Sequence, residues 1–424
     1  MDGKVLYEAY LKHPMITTDT RNCPEGSIFI ALKGASFDGN EFVLQALEKG
    51  CSMAITSRKD LADDPRCIVV DDTLQAFKDL AREHRRQFRG PVIGITGTNG
   101  KTTTKELVAT VLQKKYRVMF TQGNFNNDVG VPKTLMQLTP EHDIAVVEMG
   151  ANHPGDIKTL VETVEPDCGL ITNVGRAHLL GFGSFEGVKK TKGELYDNLV
   201  ARHKPAFLNQ NDADLSEMAA ERGVETLAYA KGAVVSCAPY VTASIESADG
   251  GAEMTIHTQL IGSYNLPNIL AAVTVGRHFG IADSDIAAAL EAYTPSNNRS
   301  QLTVTSRNHL VVDAYNANPT SMAAALENFR LMDVPQKMMI LGSMGELGEV
   351  SHDEHMKVID AIAKTGVADV WLVGKEFADC AHSYRQFKDV EEVKEAIKQE
   401  DIRDRYILIK GSNSQKLFQL PEKL

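Results

Sequence analysis

Cysteines are few in this sequence, and long apolar runs are absent. The six cysteines are scattered, and no two of them have the Cys-x-x-Cys spacing. This argues against a structural zinc site and a disulfide framework, and it fits a reducing cytoplasm. No window approaches about eighteen uninterrupted apolar residues, so we expect no membrane span. The first residues, Met1-Asp2-Gly3-Lys4, do not begin a signal peptide, so we expect a cytoplasmic protein.

An excess of basic charge is also absent. The net charge is −11 over 424 residues, which argues against a nucleic-acid partner held by phosphate contacts. Small anionic ligands remain compatible, because a local site can be basic on an acidic protein. The hydrophobic content of 43% and charged content of 24% are typical of a globular enzyme. The length allows about two to four domains.

A glycine loop lies between a predicted strand (92–95) and a predicted helix (105–112). Its sequence is Gly97-Thr98-Asn99-Gly100-Lys101-Thr102, followed by Thr103. Backbone N–H groups at a helix N-terminus attract anions, Lys101 adds a full charge, and the Thr102 hydroxyl can bind Mg²⁺. Ile95 stands where the standard phosphate loop has glycine, so the loop has the shorter form G-x-x-G-K-T. We predict that it binds a nucleoside triphosphate.

Acidic and imidazole side chains follow two further predicted strands. Glu148 is the carboxylate at the end of the strand predicted at 144–150, and His178 comes soon after the strand 168–174. Side chains at strand ends can reach a Mg²⁺ ion at a phosphate loop. Singly, Glu148 would be an exposed charge and His178 a structural histidine, but together they favour a metal site. Lys192 lies near the start of a predicted helix. Taken alone, this position predicts a lysine side chain that is exposed to solvent.

Several polar clusters leave two interpretations open. In the first stretch, strands 27–32, 53–56 and 68–70 alternate with helices and predict a small α/β module. The clusters 17–21 and 33–39 beside its first strand are either ligand loops or solvated turns. The turn 124–130 either grips a polar ligand or forms Asx turns. Asn265 and Asn268 either cap a helix or hydrogen-bond a base.

The last stretch predicts a second doubly wound unit. Strands are predicted at 310–313, 338–342, 370–374 and 406–411, with helices between them. No G-x-G-x-x-G motif follows any of these strands, so a dinucleotide cofactor is disfavoured. Asp313 could accept hydrogen bonds from a ribose and Arg299 could neutralise phosphate, although each is also an ordinary surface residue type. We predict domains at residues 1–88, 89–294 and 295–424.

Taken together, these segments resemble the Mur ligase family over the whole chain. The resemblance rests on Thr18-Asp19-Thr20-Arg21, Phe37-Asp38-Gly39, the loop ending in Lys101-Thr102, Ala177-His178-Leu179, Gly181-Phe182-Gly183-Ser184, Lys192-Gly193-Glu194, Asn265-Leu266-Pro267-Asn268, Asp313-Ala314-Tyr315-Asn316-Ala317-Asn318-Pro319 and Lys410-Gly411-Ser412. It implies an α/β fold of three domains: a small N-terminal domain that binds a UDP-sugar, a central P-loop ATPase domain with a doubly wound parallel sheet, and a C-terminal Rossmann-like domain. The last binds a dipeptide and closes over ATP.

The resemblance also implies an activity. The Phe-Asp-Gly, Gly-Phe-Gly-Ser and Tyr-Asn-Ala-Asn-Pro segments favour the branch that adds D-Ala-D-Ala to UDP-N-acetylmuramoyl-tripeptide in peptidoglycan precursor synthesis. Such an enzyme uses ATP and Mg²⁺ and forms an acyl phosphate. We expect a monomer.

Roles for individual residues follow from the resemblance. Lys101, Glu148, His178 and Lys192 are implied to be catalytic, with Thr102, Glu148, His178 and a carbamylated Lys192 as metal ligands. Nucleotide contacts are implied for Gly97, Thr98, Asn99, Gly100, Lys101, Thr102, Thr103, Asn265, Asn268, Arg299 and Asp313. Substrate contacts are implied for Thr20, Arg21, Lys33, Gly34, Phe37, Asp38, Asn126, Asn127, Ser184, Asn316, Asn318 and Ser321. Two departures affect the ribose and phosphate contacts: Asp313 is a single acid where many relatives have two, and no glycine directly precedes Arg299.

Three alternatives remain. A ligase that adds the third stem-peptide amino acid would carry an arginine-containing recognition motif near the C-terminal strands, and none is found. A ligase that joins glutamate to folate is disfavoured by the N-terminal module. A nucleotide-switched binding protein would need only one metal, whereas Glu148, His178 and Lys192 are predicted to converge on one loop.

Overall fold

A computed structural model of the chain describes residues 3–34, 36–248, 250–295 and 301–424. The predicted phosphate contact Arg299 lies outside the described residues. The helices of the described chain are α1 (Gly3–Lys12), α2 (Val43–Glu48), α3 (Thr73–Gln87), α4 (Lys101–Leu112), α5 (Gly130–Leu135), α6 (Asp156–Val164), α7 (Leu179–Phe182), α8 (Phe185–Ala201), α9 (Ala213–Arg222), α10 (Leu266–His278), α11 (Asp283–Ala292), α12 (Pro319–Leu331), α13 (Ser351–Thr365), α14 (Lys375–Ala378) and α15 (Val390–Gln399).

The strands form four sheets. They are β1 (Ile16–Thr17), β2 (Ile28–Ile30), β3 (Met53–Thr56), β4 (Cys67–Val69), β5 (Val92–Thr96), β6 (Val118–Phe120), β7 (Ile144–Glu148), β8 (Cys168–Ile171), β9 (Ala206–Leu208), β10 (Thr226–Ala228), β11 (Gly232–Cys237), β12 (Tyr240–Ile245), β13 (Met254–Ile261), β14 (Gln301–Val304), β15 (His309–Asp313), β16 (Lys337–Gly342), β17 (Asp369–Val373), β18 (Arg385–Phe387) and β19 (Tyr406–Lys410). The strand orders are β1-β2-β3-β4, β10-β9-β8-β5-β7-β6, β11-β12-β13 and β14-β15-β19-β16-β17-β18.

The chain divides into two compact units. The first contains Met1–Gly94, Arg117–Gly150 and Lys158–Asp167, and the second contains Ile95–Tyr116, Ala151–Ile157 and Cys168–Leu424. The division passes through β5, between Gly94 and Ile95. The predicted domain limits at 88/89 and 294/295 do not coincide with it and stay predictions.

The first unit begins with a parallel sheet, as the alternation of strands and helices predicts. Ile28 and Ile30 of β2 enter one apolar cluster, while Phe29 between them enters another, because successive strand residues point to opposite faces. Helix α3 covers one face and begins at Asp72, whose carboxylate accepts hydrogen bonds from the Leu74 and Gln75 N–H groups.

The second unit contains a small antiparallel sheet that the sequence analysis did not predict. Strand β12 pairs with β11 on one side and with β13 on the other. Val241, Ala243 and Ile245 of β12 are buried and alternate with more exposed neighbours. This period of two is typical of a sheet with one covered face.

The C-terminal sheet of the second unit is parallel except for its edge strand β14, which pairs antiparallel with β15. Along β16, Met338 and Ile340 enter one apolar cluster and Met339 and Leu341 enter the other. Both faces are therefore covered, as the prediction of a second doubly wound unit requires. Among the described helices, none has the length and apolar character needed to cross a membrane.

Candidate active site

Two glycines shape the glycine loop in the second unit, and any larger residue at either position would force neighbouring atoms to move. Gly97 has φ +142°, and a Cβ there would lie 2.0 Å from Thr172 Oγ1. Gly100 has φ +78°, and a Cβ there would lie 2.8 Å from Asn268 Oδ1. Left-handed φ values favour glycine. The loop therefore depends on both glycines for its path into the N-terminus of α4, where a predicted anion site lies.

Asn173, two residues after the end of β8, supports this loop. Its Oδ1 accepts a hydrogen bond from Asn99 N at 3.0 Å, and its Nδ2 donates to Asn99 O at 3.1 Å. Thr172 Oγ1 also donates to Asn99 O, at 2.6 Å. The sequence analysis did not single out Asn173, although a polar side chain close to the end of a buried strand is the same signal that identified Glu148.

Lys101 and Thr102 open helix α4. Lys101 Nζ donates to the carbonyl oxygens of Gly97 and Thr98 at 2.8 and 2.9 Å, so the ammonium group lies over the loop. Thr102 is buried in the first turn, with 3% of its surface exposed. Both residues lie at the loop, and their predicted contacts with the nucleotide and Mg²⁺ stay predictions.

Lys192 is a buried residue of α8, and the expectation of an ordinary solvated lysine is wrong. Only 2% of its surface is exposed. Burial, reinforced by the charge of Lys101, lowers the pKa of Lys192 well below its ordinary value, whereas Asp156 and Glu194 oppose this shift. Its Nζ lies 5.6 Å from the centre of the Phe182 ring. Burial therefore favours the neutral amine of Lys192 over its ammonium form.

His178 lies in the left-handed region with φ +51°, which is uncommon for a residue other than glycine. Burial lowers the pKa of its imidazole, while the neighbouring Glu346 raises it and the charges of Lys101 and Lys192 lower it further. Its Nδ1 contacts a carboxylate oxygen of Glu346, and Glu346 O accepts a hydrogen bond from Leu180 N at 3.2 Å. The fold thus brings His178, Lys101 and Lys192 into one electrostatic neighbourhood. Glu346 was not identified from the sequence.

Asn265 and Asn268 support the loop from the side of α10. Asn268 Oδ1 accepts a hydrogen bond from Thr104 Oγ1 at 3.0 Å, and Asn268 Nδ2 donates to Asn265 Oδ1 at 2.9 Å. Asn265 Nδ2 donates to Ile261 O at 2.8 Å, and the Asn265 side chain does not cap the helix. The amides join α10 to α4, and their predicted adenine contact stays a prediction.

Asp313 ends β15 and is paired with a buried lysine. Lys410 Nζ lies 2.5 Å from Asp313 Oδ2 and 3.3 Å from Asn316 O. Lys410 has 1% of its surface exposed. The sequence analysis quoted Lys410 for the resemblance but gave it no role. The structure shows that it fixes the carboxylate predicted to bind ribose.

The residues predicted to bind a dipeptide lie before and in the first turn of α12. Asn316 is exposed, and its Oδ1 accepts a hydrogen bond from Ala317 N at 2.8 Å. Asn318 and Ser321 form a capping box, in which each side chain bonds the backbone of the other. Ser184 similarly caps α8, accepting a hydrogen bond from Gly187 N at 3.0 Å.

The remaining predicted substrate residues lie in the first unit. Arg21 pairs with Asp19 and lowers the pKa of that carboxyl to about 2. Lys33 Nζ lies 3.4 Å from Asp38 Oδ2, and the Phe37 ring packs over Gly34. Thr20 O accepts a hydrogen bond from Lys49 Nζ at 2.9 Å.

The turn 124–130 of the first unit also contains predicted contacts. Asn126 Nδ2 donates to Glu148 Oε1 at 2.7 Å, and Asn127 Oδ1 accepts a hydrogen bond from Gly130 N at 2.8 Å. Asn127 is therefore used at the start of α5, while Asn126 orients the predicted metal ligand Glu148. Their substrate contacts stay predictions.

Comparison with known proteins decides the family. Family models match in succession: the Mur ligase family catalytic domain at residues 13–85, the Mur ligase middle domain at 95–276 and the Mur ligase glutamate ligase domain at 298–413. The chain is 32% identical to UDP-N-acetylmuramoyl-tripeptide–D-alanyl-D-alanine ligase of Bacillus subtilis, across 99% of this chain and 94% of that protein. The chain belongs to the Mur ligase family. The Escherichia coli enzyme of the same name is 36% identical, across 85% of this chain and 81% of that protein.

Solved Mur ligase structures share the fold. MurF from Acinetobacter baumannii aligns with a TM-score of 0.88 at 29% identity and covers 100% of this chain and 98% of that one. MurF from Thermotoga maritima, solved in complex with ADP, aligns with a TM-score of 0.86 at 27% identity and 96% coverage of both chains. The expected three-domain Mur ligase architecture is confirmed.

Proposed function

We propose that this Mur ligase is an ATP-dependent amide ligase that adds D-Ala-D-Ala to UDP-N-acetylmuramoyl-tripeptide. The observation that carries the proposal is the neighbourhood of Lys101, His178 and the buried Lys192 at a phosphate loop. The names of the relatives supply the two substrates. A nucleotide switch needs a phosphate loop but has no need of a buried lysine with a lowered pKa beside it.

The chemistry proceeds in two steps. An oxygen of the tripeptide's terminal carboxylate attacks the γ-phosphorus of ATP, and the bond from that phosphorus to the β-phosphate oxygen breaks. ADP is the leaving group, and the tripeptide becomes an acyl phosphate. The free amine of D-Ala-D-Ala then attacks the acyl carbon, loses a proton and expels inorganic phosphate. Both steps depend on alignment and charge neutralisation, so no protein nucleophile is needed. Lys101 supplies a positive charge opposite the phosphates.

The residues present fit Mg²⁺. Thr102 has a hydroxyl that could bind the ion, and His178 has an imidazole whose pKa is lowered by burial. Glu148 is kept as a proposed ligand on the basis of the sequence alone. Mg²⁺ bound there would neutralise the charge of the meeting carboxylate and phosphate groups. Among the described residues, no three His, Cys, Asp or Glu side chains form a metal cluster. We propose that a further oxygen ligand completes the site.

Lys192 supplies that ligand in our proposal. The neutral amine adds to CO₂, a proton leaves, and the resulting carbamate carries two oxygens that hard cations favour. Burial of Lys192 and its lowered pKa support this assignment, because only the unprotonated amine reacts.

The remaining roles follow the predicted assignments. We propose that Thr20, Arg21, Lys33, Gly34, Phe37 and Asp38 bind the UDP-sugar, with Asn126, Asn127 and Ser184 shaping the peptide end. We also propose that Asn265, Asn268 and Asp313 surround the adenosine and that Asn316 contacts the dipeptide. The described cysteines are free thiols, which supports a cytoplasmic location. We propose that the enzyme acts as a monomer.

The decisive experiment measures phosphate release from ATP and Mg²⁺ with each substrate omitted in turn. We expect release only when UDP-N-acetylmuramoyl-tripeptide and D-Ala-D-Ala are both present, together with a product whose mass has grown by the dipeptide less water. Release with the UDP-dipeptide and a single diamino acid instead would identify the ligase of the third residue. Release that needs neither acceptor nor amine would overturn the ligase assignment.

A further inference from the structure

Asn318, directly before helix α12, has both polar side-chain atoms committed within the protein. Its Oδ1 accepts a hydrogen bond from Ser321 N at 2.9 Å, and its Nδ2 donates to Asn99 Oδ1 at 2.9 Å. Only 6% of Asn318 is exposed. The first bond caps its own helix, whereas the second reaches a residue of the phosphate loop that is 219 positions away in the sequence.

The turn that contains Asn318 makes a second contact of the same kind. Thr320 Oγ1 accepts a hydrogen bond from Arg176 N at 3.1 Å. The preceding residue, Gly175, donates its N–H to Thr98 Oγ1 at 2.9 Å. Residues 318–321, which we call the α12 turn, therefore contact both the phosphate loop and the segment that leads to His178.

Capping of α12 does not by itself explain why residue 318 is an asparagine. Serine and aspartate cap helices about as well as asparagine, because a cap needs only an acceptor oxygen. The amide adds a donor on the same side chain, and Asn99 Oδ1 is what receives it. Asn99 is otherwise held through its backbone by Asn173 and Thr172, so its side chain is the part that the α12 turn fixes.

We propose that Asn318 is a positioning residue that fixes Asn99, so that the phosphate loop and the α12 turn are aligned as one body during ligation. This inference rests on the ligase activity proposed above. Asn316, two residues earlier, is the proposed dipeptide contact, so the bond joins the segment that presents the amine to the loop that holds the phosphates. A misplacement of about 1 Å between reacting groups can cost about a hundredfold in rate.

The test is a double-mutant cycle on Asn318→Ser and Asn99→Ala. Asn318→Ser keeps an acceptor for the Ser321 N–H but is too short to reach Asn99, so the helix cap is kept while the bond to the phosphate loop is lost. We expect kcat for ligation to fall about tenfold in each single variant. The KM for ATP should change by less than about threefold in Asn318→Ser. The double variant should be no slower than the slower single variant, because the two residues share one interaction.

The control is Asp389→Ser, which makes the same kind of exchange at the cap of α15, away from the site. It should leave kcat unchanged. Wild-type kcat in Asn318→Ser, or losses that multiply in the double variant, would overturn the positioning role while the ligase activity stands. A wild-type protein that does not ligate would instead overturn the proposed function, and this inference with it.

Discussion

Lys101 and Lys192 are two lysines near one loop, but their surroundings give them different chemistry. Lys101 Nζ contacts two loop carbonyl oxygens, whereas Lys192 is enclosed in α8 beside an aromatic ring. Desolvation favours the neutral amine of Lys192. One lysine can therefore act as a cation and the other as a nucleophile toward CO₂.

The carbamate on Lys192 can be tested by chemical rescue. We expect Lys192→Ala to lower kcat by at least about a hundredfold, as the loss of a charge-stabilising group at a reacting centre does. Acetate or formate should restore part of the rate, because a small carboxylate can occupy the vacated space. Lys190→Ala, at an exposed position of the same helix, is the matched control and should keep its activity. Full activity of Lys192→Ala without any carboxylate would contradict the carbamate.

The sequence identified many candidate site residues by type but could not assign their contacts. Ser184 and Asn127 were predicted to bind substrate, and both side chains are used at helix starts. The residue types that cap helices are the types that bind polar ligands, since both tasks need a short side chain with an acceptor oxygen. Glu346 was missed because its partner His178 is distant in sequence and no local pattern links the two.

At the scale of elements, helix α13 holds the turn that carries Glu346. His355 of α13 is fully buried, and its Nε2 accepts a hydrogen bond from Met344 N at 3.0 Å. Its Nδ1 donates to Ser351 O at 2.7 Å. These bonds require the neutral imidazole with its proton on Nδ1, so protonation of Nε2 would break the bond to Met344.

We therefore predict that His355 makes stability depend on pH. Burial lowers the pKa of His355 below its ordinary value, whereas the Ser351 carbonyl opposes the shift. The unfolded chain then binds the proton more readily than the folded one, so the stabilisation is complete above the unfolded pKa of about 6.5 and is lost as pH falls below it. Urea unfolding at pH 7.5 and 5.5 should show a larger loss for the wild type than for His355→Gln, which keeps an acceptor but does not titrate.

His352→Gln makes the same exchange at an exposed position of α13 and should keep most of the wild-type pH dependence, because burial, and not the charge of His352, is the largest cause of the lowered pKa of His355. Equal losses in the wild type and His355→Gln would show that His355 does not titrate in this range.

The antiparallel sheet β11-β12-β13 shows why some elements escaped prediction. Its period-2 signal lies in Val241, Ala243 and Ile245. Strands and helices alternate before and after it, as in the doubly wound parallel sheet expected for the central domain, so the antiparallel strands were not predicted. The C-terminal strands were predicted because both faces are covered, so that β16, for example, has an almost continuous apolar run.

At the scale of the whole molecule, the sequence predicted the order of the domains but not how tightly their segments associate. The C-terminal residues Asn318 and Glu346 already contact the phosphate loop and His178 within the second unit. Pairings between residues so far apart in the chain are decided by tertiary packing, which local propensity does not encode. Nucleotide binding at this loop should therefore stabilise a large part of the molecule.

This stabilisation is our last prediction. A ligand that binds only the folded state at a hundred times its dissociation constant contributes about 2.7 kcal/mol. A non-hydrolysable ATP analogue with Mg²⁺ should then raise the unfolding temperature by a few degrees, as followed by calorimetry. Lys101→Ala should lose most of this rise and at least about a hundredfold in ligation rate, because the charge opposite the phosphates is gone.

Lys114→Ala removes the same charge from an exposed position just beyond α4, so it should respond to the nucleotide like the wild type. The comparison separates a local contact from a change in net charge, since both variants lower the net charge by one. An equal rise in unfolding temperature in Lys101→Ala and the wild type would mean that Lys101 does not contribute to phosphate binding at the loop. Mg²⁺-dependent binding lost only in Lys101→Ala would instead locate the triphosphate at the loop before α4, whose backbone Gly97 and Gly100 shape.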